Sequence, residues 1–470
     1  MQEIPPQMPE MVLDEGTHWL LLLVQSLSFI FAVAIFLRLA HEKRRPGNIF
    51  AWSLLLLFLP LVGVPLYLLF GGRKVRRLVA DKARLLEMTR QSATANALGE
   101  GPLAGNCVHL LPDGVKAYRA FCKEIDHAEE SILIATYILG NDAVGRSIVR
   151  RLTRRARAGV QVMLLIDALG SMNSPQRELR LLRRAGGQVA RFIPLTPIVA
   201  KASANLRNHR KIAIFDGLRA IVGGQNMDRR FLSPVYSREL FADLSLRIEG
   251  PSVGALVPVF AGDWLFAARS GLEDLLPLMH VKREPKGNSC IETIASGPDV
   301  VHDALWERII SLVQESRESV SIVTPYFLPD EVLLQSLIIK AHMGRKVRLI
   351  LPEKSNHPIV DMARNGQLRA LHAQGVEILF YTRRMLHAKL IIVDKTHAVS
   401  GSANIDPRSF FVNFEIGLVH SSAQDLAMFA NWLDTRILPR CIPYETSRAA
   451  KGGKLRLFAE SMAGLLTPLM

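Results

Sequence analysis

The stretch Asn208-His209-Arg210-Lys211-Ile212-Ala213-Ile214-Phe215-Asp216 leads on to Gly223-Gly224-Gln225-Asn226. A second stretch, His387-Ala388-Lys389-Leu390-Ile391-Ile392-Val393-Asp394, leads to Gly401-Ser402-Ala403-Asn404. Both read His-x-Lys-x4-Asp-x6-Gly-(Gly/Ser)-x-Asn, and the two copies lie 178 positions apart. Each holds a short apolar run of the length expected of a buried strand. Side chains two apart in a strand share a face, so His209 and Lys211 point one way together, as do His387 and Lys389. A paired imidazole and ammonium, present twice, implies one phosphate-handling site assembled from two half-sites.

The duplication extends outward from the motifs. Residues 131–137 form a strand-like run ending in Tyr137, followed by an Arg-rich helical stretch, Gly159 and a second apolar strand to Asp167. Residues 319–326 repeat the pattern, ending in Tyr326, and Gly344 and the strand 346–352 follow. Strands alternating with helices imply a parallel or mixed sheet covered by helices. The period is that of a duplicated domain, too long for a solenoid. The pattern breaks at residues 276–292, which divides a first domain (106–280) from a second (281–450). Residues 91–105 are small and Gly-rich and read as a linker.

The chemistry follows from the residue types. One histidine can attack phosphorus while the other protonates the leaving oxygen. Lys211 and Lys389 can stabilise transition-state charge. Asn226 and Asn404 add donors, and the turns at Gly224 and Ser402 let backbone approach a phosphate. With these cations in place the reaction is expected to need neither metal nor cofactor. With about 2% His and about 5% each of Lys and Asp, one His-x-Lys-x4-Asp arises by chance in a few per cent of such chains. Two copies with matching turns do not. His342, His357, His372 and His397 lack this context and read as structural.

The chain has 470 residues, room for two or three domains, and a net charge of +15. Such a basic balance suits nucleic acid or anionic lipid. The N-terminal region favours lipid. Trp19–Leu37 and Ile49–Gly72 carry no formal charge, and each is long enough to span a bilayer as a helix. They are expected to form a transmembrane hairpin over residues 18–72, after an acidic tail at 1–17. Pro60 and Pro65 allow the second run to be a re-entrant wedge instead. A basic juxtamembrane segment and the linker then occupy 73–105. Its Arg73, Lys74, Arg76, Arg77, Lys82, Arg84 and Arg90 favour a cytoplasmic catalytic domain, while Lys43, Arg44 and Arg45 in the turn argue the other way. The Arg-rich residues 150–157 read as a solvated helix face. Residues 451–470 read as an amphipathic helix that packs on the core. Cys107, Cys122, Cys290 and Cys441 have no metal-site or disulfide spacing and are expected to be reduced and mostly buried.

These motifs resemble those of the phospholipase D superfamily, whose two His-x-Lys-x4-Asp copies form one active site. Arg207 to Lys211, Arg247 to Pro251, Asp263-Trp264, Thr324 to Pro329, Gly401 to Phe411 and Asn413-Phe414-Glu415 are similar to stretches of bacterial cardiolipin synthases. The resemblance covers nearly the whole chain. It implies an α/β fold of two duplicated phospholipase D-like α/β/α domains with mixed sheets, behind a two-helix membrane hairpin. It implies reversible phosphatidyl transfer between two phosphatidylglycerol molecules, giving cardiolipin and glycerol through a phosphohistidine. The alternatives are a phospholipase D that uses water, and a transphosphatidylase with another phospholipid donor. His209 is the implied nucleophile and His387 the acid/base, with Lys211, Lys389, Asp216 and Asp394 completing the catalytic set. Asp243 and Glu415 would orient the imidazoles, and Asp216 and Asp394 would brace the motifs. The implied partners are phosphatidylglycerol, other anionic phospholipids and the bacterial inner membrane, with no nucleic acid. Phe241, where relatives commonly have Trp, and Gln225 depart from the pattern.

Overall fold

The computed structural model describes residues 15–41, 46–67, 76–92, 101–193, 206–300, 302–447, 449–450 and 453–465. The chain divides into two compact units, residues 1–72 and 73–468.

In the first unit, α1 (Glu15–His41) carries the first apolar run, and α2 (Pro46–Phe58) and α3 (Pro60–Leu66) carry the second. The second run is not one helix. Pro60 disfavours helical backbone in the residue before it, and Leu59 breaks out at φ −134°, ψ 59°. Trp52, Leu56 and Tyr67 pack with Ala32 and Ile35, and the Trp52 and Tyr67 rings meet edge-on at 5.1 Å. Gly63 allows α3 to lie against α2, where a Cβ would come 2.7 Å from the Leu55 carbonyl oxygen. Among the described residues no helix is long and apolar enough to cross a membrane, so the expected pair of spans is not seen. The basic turn at 42–45 and residues 68–75 lie outside the described residues.

The second unit contains the duplication. The first half supplies β1 (Pro102–Leu111), β2 (Ser131–Thr136), β3 (Gln161–Asp167), β4 (Gln188–Phe192), β5 (Ile212–Phe215), β6 (Arg219–Gly223) and β7 (Ser245–Glu249). The second supplies β8 (Ser289–Ser296), β9 (Ser319–Val323), β10 (Lys346–Pro352), β11 (Glu377–Tyr381), β12 (Leu390–Val393), β13 (His397–Gly401), β14 (Glu415–His420) and β15 (Cys441–Pro443). The strand order is β15-β11-β10-β9-β12-β13-β14-β8-β1-β7-β6-β5-β2-β3-β4. Each half thus repeats the other, and antiparallel β1 and β8 join them. β2, β3 and β4 pair in parallel and the rest of that half antiparallel, which gives the expected mixed sheet. β2 is buried along its whole length, as befits a strand covered on both faces.

One core cluster draws on both halves, including Leu133, Ile212 and Leu246 from the first and Ala388, Leu390 and Ile416 from the second. The helix Ser252–Ala268 lies in this cluster, which makes the interior between the halves a single core. The linker ends earlier than expected, since Pro102 to Gly105 already belong to β1. The segment before it is a helix, α4 (Arg76–Gln91), packed on Ser252–Ala268 through Lys82, Leu86 and Thr89. Lys82 is not a surface charge. It is fully buried between Asp263 at 2.6 Å and Asp299 at 2.5 Å, so it drops out of the charge count behind the topology argument.

The C-terminal helix Lys454–Leu465 packs on Pro358–Ala373 through Ala463 and Glu460, which accepts from Asn365 at 2.7 Å. Its Phe458 and Met462 remain exposed, and residues 466–470 lie outside the described residues. The four cysteines are free; Cys122 is buried and the other three are half-buried.

Candidate active site

The two motif segments meet through the opposite halves of the chain. His209 N–H donates to Phe414 O at 2.9 Å and Phe414 N–H to Arg207 O at 2.9 Å. His387 N–H donates to Ala242 O at 2.7 Å and Ala242 N–H to Met385 O at 2.8 Å. These two parallel bridges are the same feature, once from each copy. They place the residue after each bridge, Glu415 or Asp243, against the histidine of the other half.

The orienting pairs are therefore crossed. His209 Nδ1 lies 2.8 Å from Glu415 Oε1, and His387 Nδ1 lies 2.7 Å from Asp243 Oδ2. Ser402 Oγ donates to Glu415 Oε2 at 2.5 Å, and Leu244 N–H donates to Asp243 Oδ1 at 2.8 Å. Lys211 Nζ donates to His209 O at 2.7 Å; Lys389 Nζ lies 2.6 Å from His387 O and 2.7 Å from His387 Nδ1. Tyr137 packs edge-on to His209 at 5.0 Å, and Phe231 edge-on to His387 at 4.8 Å.

Burial and mutual charge set the proton affinities. Burial lowers the Lys211 ammonium to about 7 and the Lys389 ammonium to about 8. His209 falls below its ordinary value through burial, although Glu415 opposes the shift. His387 falls well below its ordinary value through burial, with Lys389, Lys211 and His209 adding to the effect. Burial raises the Asp243 carboxyl to about 7. For Glu415 burial acts upward too, but His209, Lys211 and the Ser402 hydrogen bond hold it below its ordinary value. The site thus has one ionised carboxylate and one that shares its proton at neutral pH.

The expected residues fall into four groups. His209, Lys211, His387, Lys389, Asp243 and Glu415 converge. Gly224 and Ser402 serve the carboxylates: a Cβ at 224 would come 2.6 Å from Asp243 Oδ1, and Ser402 bonds Glu415. Asn226 Oδ1 accepts from Ile138 N–H at 3.1 Å, and Asn404 lines the cleft beside His209. Asp216 and Asp394 are not at the site. They stand at the far ends of β5 and β12, about 16 Å from the lysines by strand rise. Asp216 Oδ1 accepts from the backbone N–H groups of Glu129, Glu130 and Ser131. Asp394 does the same for Arg317, Glu318 and Ser319. Both hold a left-handed backbone, φ 54° and 52°. Of the two roles expected for them, catalytic and bracing, this geometry fits the brace, which ties each motif strand to the start of β2 or β9.

Two features escaped the sequence reading. Arg210 is fully buried behind His209, with NH1 2.6 Å from Asp263 Oδ1 and Nε donating to Glu415 O at 2.9 Å. The Asp263 carboxylate, which also accepts from Asn208 Nδ2 at 2.8 Å, connects Lys82 to the base of the site. His357, read as structural, lies on the wall of a cleft of about 480 Å³ that opens beside His209. Tyr326, Leu328, Pro358 and Ile359 share that wall. No pattern in a single sequence marks His357, which simply precedes the helix Pro358–Ala373.

Comparison with known proteins agrees with this geometry. The family model described as "Cardiolipin synthase, PLD-like domain" matches residues 121–247 and 309–437, and a "Phospholipase_D-nuclease N-terminal" model matches 27–72. The chain belongs to the cardiolipin synthase family of phospholipase D-like proteins. It is 30% identical to cardiolipin synthase A of Pseudomonas fluorescens, over 97% of this chain and 99% of that one. It is 31% identical to the cardiolipin synthase of Oceanobacillus iheyensis, over 85% of this chain and 89% of that one. A solved phosphatidylserine synthase from Haemophilus influenzae shares the fold, with TM-score 0.62 and 15% identity over 82% of this chain and all of that one.

Proposed function

We infer that this protein is a cardiolipin synthase that moves a phosphatidyl group from one phosphatidylglycerol to another and releases glycerol. The observation that carries the reading is the crossed pair, His209 on Glu415 and His387 on Asp243, at one lysine-lined site in a chain whose relatives are cardiolipin synthases.

The asymmetry of the two carboxylates supports His209 as nucleophile and His387 as acid/base. Glu415 is ionised, so His209 keeps its Nδ1 hydrogen towards it and presents the Nε2 lone pair. His209 Nε2 attacks phosphorus, the bond from phosphorus to the glycerol oxygen breaks, and protonated His387 gives that oxygen its proton. The second phosphatidylglycerol then loses its hydroxyl proton to His387, and its oxygen attacks phosphorus. The phosphorus–nitrogen bond breaks, giving cardiolipin and free His209. Asp243 holds the His387 ring in place through Nδ1, and in its ionised form it favours the protonated imidazole. The arriving phosphodiester adds negative charge that favours the charged forms of His387 and both lysines.

The N-terminal unit supports a membrane anchor. Trp19, Phe29, Ile30, Phe31, Leu37, Phe58 and Leu61 are exposed on it, a wide apolar surface that a bilayer would cover. The substrate would then reach the site from the inner membrane, with the catalytic unit on the cytoplasmic side.

The test is detergent-solubilised protein with phosphatidylglycerol alone, its lipid products resolved by mass. Cardiolipin with free glycerol is expected. Phosphatidic acid as the sole product would replace the reading with a phospholipase that uses water.

A further inference from the structure

A histidine that carries a phosphatidyl group also carries two acyl chains, so it must open onto an apolar surface. The two histidines differ in this respect. His209 is one of the described residues that line the cleft of about 480 Å³, and His387 is not. The aliphatic wall of that cleft comes from the second half: Leu328, which follows β9, and Pro358, Ile359 and Val360, which open the helix after β10. The duplication supplies a comparison. The helix after β10, Pro358–Ala373, begins Pro-Ile-Val, whereas the helix after β3, Gln176–Arg184, begins Gln-Arg-Glu. The wall is backed by the C-terminal helix Lys454–Leu465, whose Ala463 packs with Leu328 and Ala363, and Val360 lies against them. Its front is bare. Ile359 lines the cleft yet is 53% exposed, and Met362, one turn further on the same face, is 38% exposed.

We propose that this cleft seats the diacylglycerol of the phosphatidyl group while that group is bonded to His209, and that the acyl chains leave it over Ile359 and Met362. The proposal rests on the cardiolipin synthase reading and adds where the apolar part of the donor lies. A cleft of about 480 Å³ is in the range that encloses a drug-sized ligand. It has room for the glycerol backbone, both ester groups and the first methylenes, but not for two whole chains. The rest of each chain must continue outside, and Ile359 and Met362 mark an apolar way out. His357 supplies a polar contact. Its ring lines the cleft, packs edge-on to Tyr326 at 5.3 Å and has no hydrogen bond among the described residues. An imidazole N–H is a donor that an ester carbonyl oxygen can accept from. Tyr326 is itself fixed by its hydroxyl, which donates to Asn356 Oδ1 at 2.7 Å. The geometry of displacement fits this placing. The oxygen that leaves, and later the oxygen that attacks, lie on the face of phosphorus away from His209. Glycerol and the second lipid therefore come and go on the His387 side, while the diacylglycerol oxygen stays free to turn into the cleft.

The test separates long chains from short ones. Full-length protein in one detergent is given dioleoyl or dihexanoyl phosphatidylglycerol, and cardiolipin formation is followed by mass. The readout is the ratio of kcat/KM for the long-chain lipid to that for the short-chain lipid. Ile359→Asp puts a charge on the path of the chains, and its ratio is expected to fall about tenfold. Ile359→Leu, which keeps the apolar surface, is expected to keep the ratio of the unaltered protein. Met343→Asp, an exposed position past the end of the helix Glu331–His342, controls for surface charge and should leave the ratio unmoved. Turnover of the dihexanoyl lipid shows that a variant is folded with a working histidine pair. Should Ile359→Asp fail to fold, Met362→Asp carries the test, with an expected fall of about threefold. An unmoved ratio, whether both rates fall together or neither falls, would overturn the subsite. If the unaltered protein makes cardiolipin from neither lipid, the cardiolipin synthase reading fails and takes the subsite with it. If it makes cardiolipin and only the ratio in the variant is unmoved, the subsite alone fails.

Discussion

At the scale of single residues, the site is defined by which carboxylate each imidazole meets. His209→Ala and His387→Ala should each abolish turnover, because attack and proton transfer fall to different side chains; substantial activity in either variant would contradict the two-half-site account. Glu415→Gln and Asp243→Asn leave both imidazoles in place but disturb their tautomers, and should lower kcat by about 10²- to 10⁴-fold. The pH profile follows from the shifted groups. His209 must be neutral to attack, and its lowered pKa places the acid limb of kcat/KM below 6.5. The lysines must be charged, so activity should decline as pH rises through about 7 to 8. Initial rates across pH 5 to 9 at subsaturating lipid check both limbs; an alkaline limb above about 10, the ordinary lysine range, would show that burial does not set it.

The elements explain what could and could not be read in advance. The strands β5 and β12 were legible because each places His and Lys two apart before four apolar residues. Asp243 and Glu415 were legible as types, but not as partners, since each stands nearer in sequence to the histidine it does not touch. The crossing depends on the bridges from Asn208 to Phe414 and from Leu386 to Ala242, which join residues some 150 to 200 apart and leave no local pattern. The braces illustrate the opposite case, residues for which the motif suggested both a catalytic and a bracing role. Asp216 and Asp394 share the motif with the histidines, yet they tie backbone at the other end of the strand. Asp216→Ala strands three N–H donors and strains a left-handed residue, and should cost about 1–3 kcal/mol of stability. Thermal unfolding should register that loss while the KM of the folded enzyme stays unchanged; a selective loss of kcat would return Asp216 to the catalytic set. α4 was misread for a related reason. Lys82 looks like one more charge in a basic run, and only packing reveals it between Asp263 and Asp299. Removing one partner of a buried pair leaves uncompensated charge, so Lys82→Met should destabilise the catalytic unit by about 3–5 kcal/mol in chemical denaturation.

For the molecule as a whole, duplication explains both the symmetry of the sheet and the single site. Two copies joined at β1 and β8 bury one core between them and bring their motif segments together across it. Neither half holds a complete histidine, because each imidazole takes its carboxylate from the other copy. Sequence alone reached the duplication, the α/β class and the family. It also offered Pro60 and Pro65 as an interruption of the second apolar run, and the helix breaks at Leu59, just before Pro60. The account turns on covalent transfer through His209. The direct measurement is mass analysis of peptides from protein quenched in base during turnover of phosphatidylglycerol. A phosphatidyl group on the peptide that contains His209, absent from His209→Ala, is the predicted result. The same group on the peptide that contains His387, or no covalent adduct during active turnover, would contradict it.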